Sequence, residues 1–197
     1  GISRTRKRSI EKADINKLRA VQVKPGSFMQ LVRDVFLFCF YACGMPFVDV
    51  AFLKKSQIKG GMLVYHRRKT DQVVQIKLEP CMQEIVSRYN VSESPYLLPI
   101  IVRPGMDERK QYINASHRIN RYLKAIGKEL GLSVPLTHYV ARHSWASAAR
   151  SKNIPISVIS EGMGHDSENT TRIYLASLDT TTIDKANSLI LKSLCRE

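Results

Sequence analysis

The sequence predicts a mainly α-helical domain carrying one small antiparallel β-hairpin or sheet. Three observations point there. Apolar residues recur at helical spacing through most of the 197-residue chain. One window, residues 62–78, switches to runs of strand formers on either side of a polar tip. Proline falls between the periodic segments or at their first turn, and Gly44, Gly131 and Gly164 mark helix ends.

Taken in order, residues 1–8 (Gly-Ile-Ser-Arg-Thr-Arg-Lys-Arg) are basic and polar and read as a linker or arm. Ser9 is a candidate cap for a first helix that places Ile10, Ile15, Leu18 and Val21 on one face, and Pro25-Gly26 breaks it. Ser27 begins a strongly apolar helix to about Ala42, the expected core helix. Gly44 stops it, and Pro46 stands in the turn that follows. Residues 48–53 read as a short helix. The runs 62–66 and 73–78 form the hairpin, with a basic tip at Arg67, Arg68 and Lys69. Pro80 opens a helix to about Tyr89, and residues 91–105 form a proline-rich loop. A long helix is expected from Asp107 to Leu130, burying Ile113, Ile119, Leu123 and Ile126 before Gly131 ends it. Helices are also expected over 137–151, from Pro155 to Met163 with Gly164 as the stop, and over 168–176. A last apolar helix, capped by Thr181, runs to about Leu194.

Charge narrows the function. Thirty-one Lys and Arg face seventeen Asp and Glu, a net +14, which favours a polyanionic partner, nucleic acid first. The longest apolar run, residues 35–42, is too short to span a bilayer, and no signal peptide is expected. Cys39, Cys43, Cys81 and Cys195 make no C-x-x-C pair, so neither a disulfide framework nor a zinc site is expected. The expectation is a reduced, cytoplasmic protein with no cofactor and no metal.

Three segments carry the chemistry: Tyr139-Val-Ala-Arg-His-Ser-Trp-Ala146, Met163-Gly-His-Asp-Ser167 and Thr170-Thr-Arg-Ile-Tyr174. A lone tyrosine on an apolar helix is usually core, and a lone Gly-His is usually a helix stop. The joint spacing argues otherwise. Together the segments resemble the signature of the tyrosine recombinases (the phage integrase family). There an R-H-[ST]-[FW]-A helix precedes a glycine-histidine turn, and a tyrosine follows the histidine by nine residues, as Tyr174 follows His165. The resemblance covers roughly residues 9–194 and identifies the catalytic domain of that family.

The resemblance implies a DNA strand transferase in which Tyr174 forms a covalent 3′-phosphotyrosyl link. Arg142 offers a fork of donors to the phosphate, and His165 donates to the same group. A family lysine on the hairpin matches Lys69, at the head of Lys69-Thr-Asp-Gln-Val-Val-Gln-Ile-Lys-Leu78, as general acid for the leaving 5′-oxygen. Tyr139, His143 and Arg67 are supporting candidates. Arg4, Arg6, Lys7, Arg8, Arg67, Arg68 and Lys69 are the expected phosphate contacts. Implied partners are double-stranded DNA and three further copies in a tetramer on paired sites, with a monomer in isolation. Implied too are a role in recombination or integration of mobile DNA at the bacterial nucleoid, and a separate core-binding domain before residue 9 that this chain lacks.

Two departures stand out. The family's first catalytic arginine belongs in a G-x-R-x-x-E-L segment, matched here by Gly44-Met-Pro-Phe-Val-Asp-Val50, so Pro46 occupies its place while Asp49 fills the acidic position. Arg33, Arg67 or Arg68 are the candidates to replace it. Arg67 is favoured because strand alternation would put it on the face of Lys69. The alternative is a weakened or inactive DNA-binding relative. Second, the residue three before Arg142 is Tyr139 rather than histidine, and His138 is one position off. A type IB topoisomerase and a metal nuclease built on His138, His143 and His165 are the remaining rivals.

Overall fold

The computed structural model describes residues 8–90, 93–178 and 182–194. Arg4, Arg6, Lys7, Thr181 and Cys195 lie outside the described residues.

Helix α2 (Phe28–Tyr41) is the centre of the molecule, and α1 (Lys12–Ala20), α3 (Phe47–Phe52), α4 (Pro80–Tyr89), α5 (Glu108–Glu129) and α6 (His138–Ser151) all pack on it or on one another. Its start follows from Ser27, whose extended backbone lets the hydroxyl accept from the Gln30 amide at 3.2 Å. Val32, Val35, Phe36, Phe38 and Cys39 are fully buried, each large side chain contributing about 1.5–3 kcal/mol. One charge sits in this apolar setting. Asp34 is fully buried and accepts from Arg33 Nε (3.1 Å), Arg88 Nη1 (3.1 Å) and Tyr89 Oη (2.7 Å), which joins α2 to α4.

The first helix starts later than expected. Its N-cap is Glu11, whose side chain makes no capping bond, not Ser9. The physical reason is tertiary: Ile10 is buried, and its amide donates to Ser144 Oγ of α6 at 2.9 Å. The segment before α1 is thereby fixed against α6.

The sheet has three antiparallel strands in the order β1 (Ile58–Lys59), β2 (Met62–His66), β3 (Val73–Lys77). With only two residues, β1 offers no periodicity to read. In β2, Leu63 and Tyr65 turn inward opposite Ile76 and Val74, while Val64 and His66 face out.

The long α5 is capped by Asp107, which accepts from the Lys110 amide at 3.3 Å. It buries Ile119, Leu123 and Ile126, with Ile113 only half-buried. The remaining helices are α7 (Ile156–Met163), α8 (Glu168–Leu178) and α9 (Thr182–Leu194). Helices α6, α7 and α8 enclose a second, smaller core of Ala146, Ala149, Ile159, Met163, Leu175 and Leu178, separate from the large one around α2. On α9 the apolar residues Leu189, Ile190, Leu191 and Leu194 are exposed, and the described side chains of this helix, residues 186–194, join neither core. Among the described residues no helix is long and apolar enough to cross a membrane.

Candidate active site

The seam between the two cores holds the residues singled out by spacing. Arg142, on α6, is 5% exposed and spends its fork on the backbone of both sides. Nη1 donates to the Gly44 carbonyl at 2.7 Å, and Nη2 donates to the Met163 carbonyl at 3.1 Å. Gly44 must be glycine here: its φ is +69°, and a Cβ would stand 3.0 Å from Arg142 Cα. Arg142 Nη2 also reaches His165 Nε2 at 3.3 Å. A guanidinium cannot accept, so Nε2 is the acceptor in that contact and Nδ1 carries the proton to Thr171 Oγ1 at 2.6 Å.

The α7 stop does more than end a helix. Gly164 takes φ +68°, and its carbonyl receives Arg67 Nη1 (3.2 Å) and Thr70 Oγ1 (2.8 Å) from the hairpin. A Cβ at Gly164 would lie 2.9 Å from Arg67 Cδ and 3.0 Å from Val74 Cγ2. The glycine thus lets the sheet and the Arg67 side chain close on the turn that presents His165.

Arg67 is 7% exposed, and its Nε is buried with no hydrogen-bond partner. Its charge lowers the Arg142 pKa, to about 10, second only to burial. Two buried guanidiniums that repel one another, one with an orphaned donor, suit an anion between them. Asp49 faces both. Burial raises its carboxyl while Arg67, Arg142 and the Arg68 amide (2.9 Å to Oδ1) oppose the rise.

Tyr174 projects from α8 beside this cluster. Its ring lies 5.9 Å from Arg142 Cζ and 5.8 Å from the His165 ring. Burial pushes the phenol up to about 12, against the pull of Arg142, Arg67 and Arg8. Its hydroxyl is 2.5 Å from His143 Nδ1. His143 and His165 are each held down to about 4, chiefly by burial and then by neighbouring arginines, so both imidazoles are neutral at pH 7.

Other candidates fall elsewhere. Lys69 is exposed in the turn and bears on His165 only through its charge. The expectation that it shares a face with Arg67 is corrected: inward alternation runs Leu63, Tyr65, Arg67 and then stops, because the Asp71 amide closes the turn onto the Arg67 carbonyl at 2.7 Å. Arg68 turns away, its guanidinium 4.0 Å above the Phe52 ring. Arg33 is bound to Asp34 and the Val21 carbonyl and cannot serve the site. Tyr139 is 61% exposed beside His143. His138 points inward, stacked 4.6 Å from Phe47 and bonded to Ser116 Oγ at 2.9 Å. Thr70, Thr171 and the Gly44, Met163 and Gly164 carbonyls went unassigned at the level of sequence. Threonine at 171 had a motif to flag it, but backbone carbonyls carry no signal in residue type. A cavity of about 340 Å³ between α1, α2 and α4 shares no residue with this cluster.

A mainly helical domain with one small antiparallel sheet is the fold of tyrosine recombinase catalytic domains, and the chain belongs to the phage integrase family, whose pattern matches residues 9–181. It is similar to the tyrosine recombinase XerA of Pyrococcus furiosus, 28% identical over 180 residues, covering 88% of this chain and 58% of that protein. The crystal structure of XerA recombinase superposes with a TM-score of 0.67 at 19% identity, over 96% of this chain and 65% of that one. A lambda integrase dimer bound to a COC′ core site gives 0.63 at 19% identity, over 88% and 49%. The chain therefore spans little more than half the length of the XerA protein it matches.

Proposed function

We propose that the chain is the catalytic part of a site-specific recombinase or integrase that cuts and rejoins double-stranded DNA through a covalent 3′-phosphotyrosyl intermediate. The observation that carries the reading is the convergence of Arg67 from the hairpin, Arg142 from α6, and His165 and Tyr174 from the α7–α8 segment onto one seam. Tyr174 Oη attacks the scissile phosphorus, the P–O5′ bond breaks, and Lys69 gives its proton to the departing 5′-oxygen. Arg142 and Arg67 bind the non-bridging oxygens, where attack concentrates charge. His165 adds a third donor once the phosphate displaces its contact with Arg142. Thr171, a hydroxyl able to donate or accept, permits the tautomer change this needs. Arg67 takes the place of the arginine missing at Pro46, supported by its burial and its free Nε.

The exposed apolar face of α9 supports assembly with further copies into a tetramer on paired DNA sites. Arg8, Arg68 and Lys69 lie at the exposed surface as phosphate contacts. The protein would act on DNA in the cytoplasm. A second reading, a DNA-binding relative without activity, is favoured by Pro46 alone.

The two separate in a trapping experiment. A nicked suicide duplex, chosen by the intact protein from a randomised pool, forms a covalent protein–DNA adduct with the parent. Tyr174→Phe abolishes the adduct and leaves affinity within about twofold, since one hydroxyl is lost among many phosphate contacts. No adduct from the parent, or an adduct that persists in Tyr174→Phe, overturns the reading.

A further inference from the structure

From the geometry around Tyr174 we infer that His143 is the base that takes the phenolic proton during attack and returns it on rejoining. The inference rests on the reading of Tyr174 as nucleophile. The hydroxyl has one hydrogen-bond contact among the described residues, and it is His143 Nδ1 at 2.5 Å. The other candidates are spoken for. His165 is engaged at both ring nitrogens by Arg142 and Thr171. Lys69 is exposed on the hairpin turn and is positively charged, so it lacks a lone pair. Tyr139 is exposed, with its ring stacked 6.5 Å from that of His143. A helical step of about 100° from Arg142 to His143 separates their tasks: one faces the phosphate, the other the nucleophile.

The proton balance closes. As the phenolic O–P bond forms, the O–H bond breaks and its proton passes to Nδ1, while the P–O5′ bond breaks and the 5′-oxygen takes a proton from Lys69. On rejoining, the imidazolium gives the proton back to the departing phenolate, and no co-reactant is consumed.

In the free protein the pair is set against premature transfer. The phenol is pushed up to about 12 and the imidazole down to about 4. After burial, the charges facing His143 are Arg8, from the segment fixed against α6, and Arg142, from its own helix; Tyr174 of α8 faces it with a neutral hydroxyl. A DNA phosphate neutralises those arginines and favours imidazolium, so substrate binding itself raises the basicity of His143.

The test uses the intact protein and the nicked duplex it selects from a randomised pool, reading single-turnover adduct formation. His143→Asn keeps an acceptor near Nδ1 that cannot take a proton. It is expected to slow the adduct on the order of 100-fold at unchanged affinity. In the His143→Asn background, replacing Tyr174 with 3,5-difluorotyrosine, whose phenol is more acidic and needs less help from a base, should recover most of that loss. A structural role for His143 would not respond to phenol acidity. As an independent arm, His143→Ala should regain rate in proportion to added imidazole. Parental rates in His143→Asn, or a deficit that neither fluorination nor imidazole reduces, overturn the assignment while Tyr174 remains the nucleophile. Absence of an adduct from the parent overturns both.

Discussion

Arg67 shows what one side chain can carry at this seam. It is buried against Gly164, its Nε is unpaired, and its charge presses on Arg142. If it holds the transferring phosphate, Arg67→Ala should lower single-turnover cleavage by about 10²-fold or more, with saturating DNA failing to restore it. Arg67→Lys should recover only part, because an ammonium cannot reproduce the planar fork. A rate that returns at high DNA concentration reduces Arg67 to a backbone contact. Tyr174, Arg142 and His165 were legible in the sequence because spacing along a signature survives folding. The relation of Arg67 to Lys69 was not. Alternation holds only while the strand continues, and the turn that ends it at residue 67 depends on Asp71 at φ +58°. His143 had a place in the motif, but nothing in residue type says which neighbour it bonds.

Among the elements, α6 concentrates the buried titrating groups, with His138 and His143 on it and His165 just across the seam. All three are held down from 6.5 to about 4, mainly by burial. An unfolded chain binds protons near pH 6.5 that the folded one refuses. Their contribution to stability is thus full above 6.5 and is lost as pH falls from 6.5 towards 4. Urea midpoints should decline across that window, and His138→Gln, which keeps the Ser116 partner, should flatten the decline. A midpoint constant from pH 7 to 4.5 would refute this. At the other end of the chain, α9 leaves Leu189 and Ile190 exposed. Replacing both with Ser should change the melting temperature of the monomer by no more than about a degree, as for other surface changes. Assembly on DNA, followed by light scattering, should weaken. Helix boundaries were mostly readable because Ser27, Pro80, Gly131 and Gly164 act locally. The start of α1 was not, since Ile10 and Ser144 decide it across 134 positions.

For the whole molecule, the helical architecture with one small sheet followed from periodicity, whereas the division into two cores did not. Apolar residues look alike in sequence whichever cluster they join. That division sets how the molecule opens. Helices α7 and α8 are held by six buried side chains, Ala146 and Ala149 of α6 with Ile159, Met163, Leu175 and Leu178 of α7 and α8, and by the hydrogen bonds to the turn at Gly164. Helix α2 is enclosed by five neighbours. Amide exchange should therefore be graded, with α8 protons exchanging through a sub-global opening at a free energy below that of α2. Equal protection in α2 and α8, measured by exchange mass spectrometry, would show a single cooperative unit instead. If the gradient holds, Tyr174 sits on a helix that opens more readily than α2, and under the proposed reaction its hydroxyl would shift with a loosened α8 while Arg142 of α6 stays with the more protected part of the molecule.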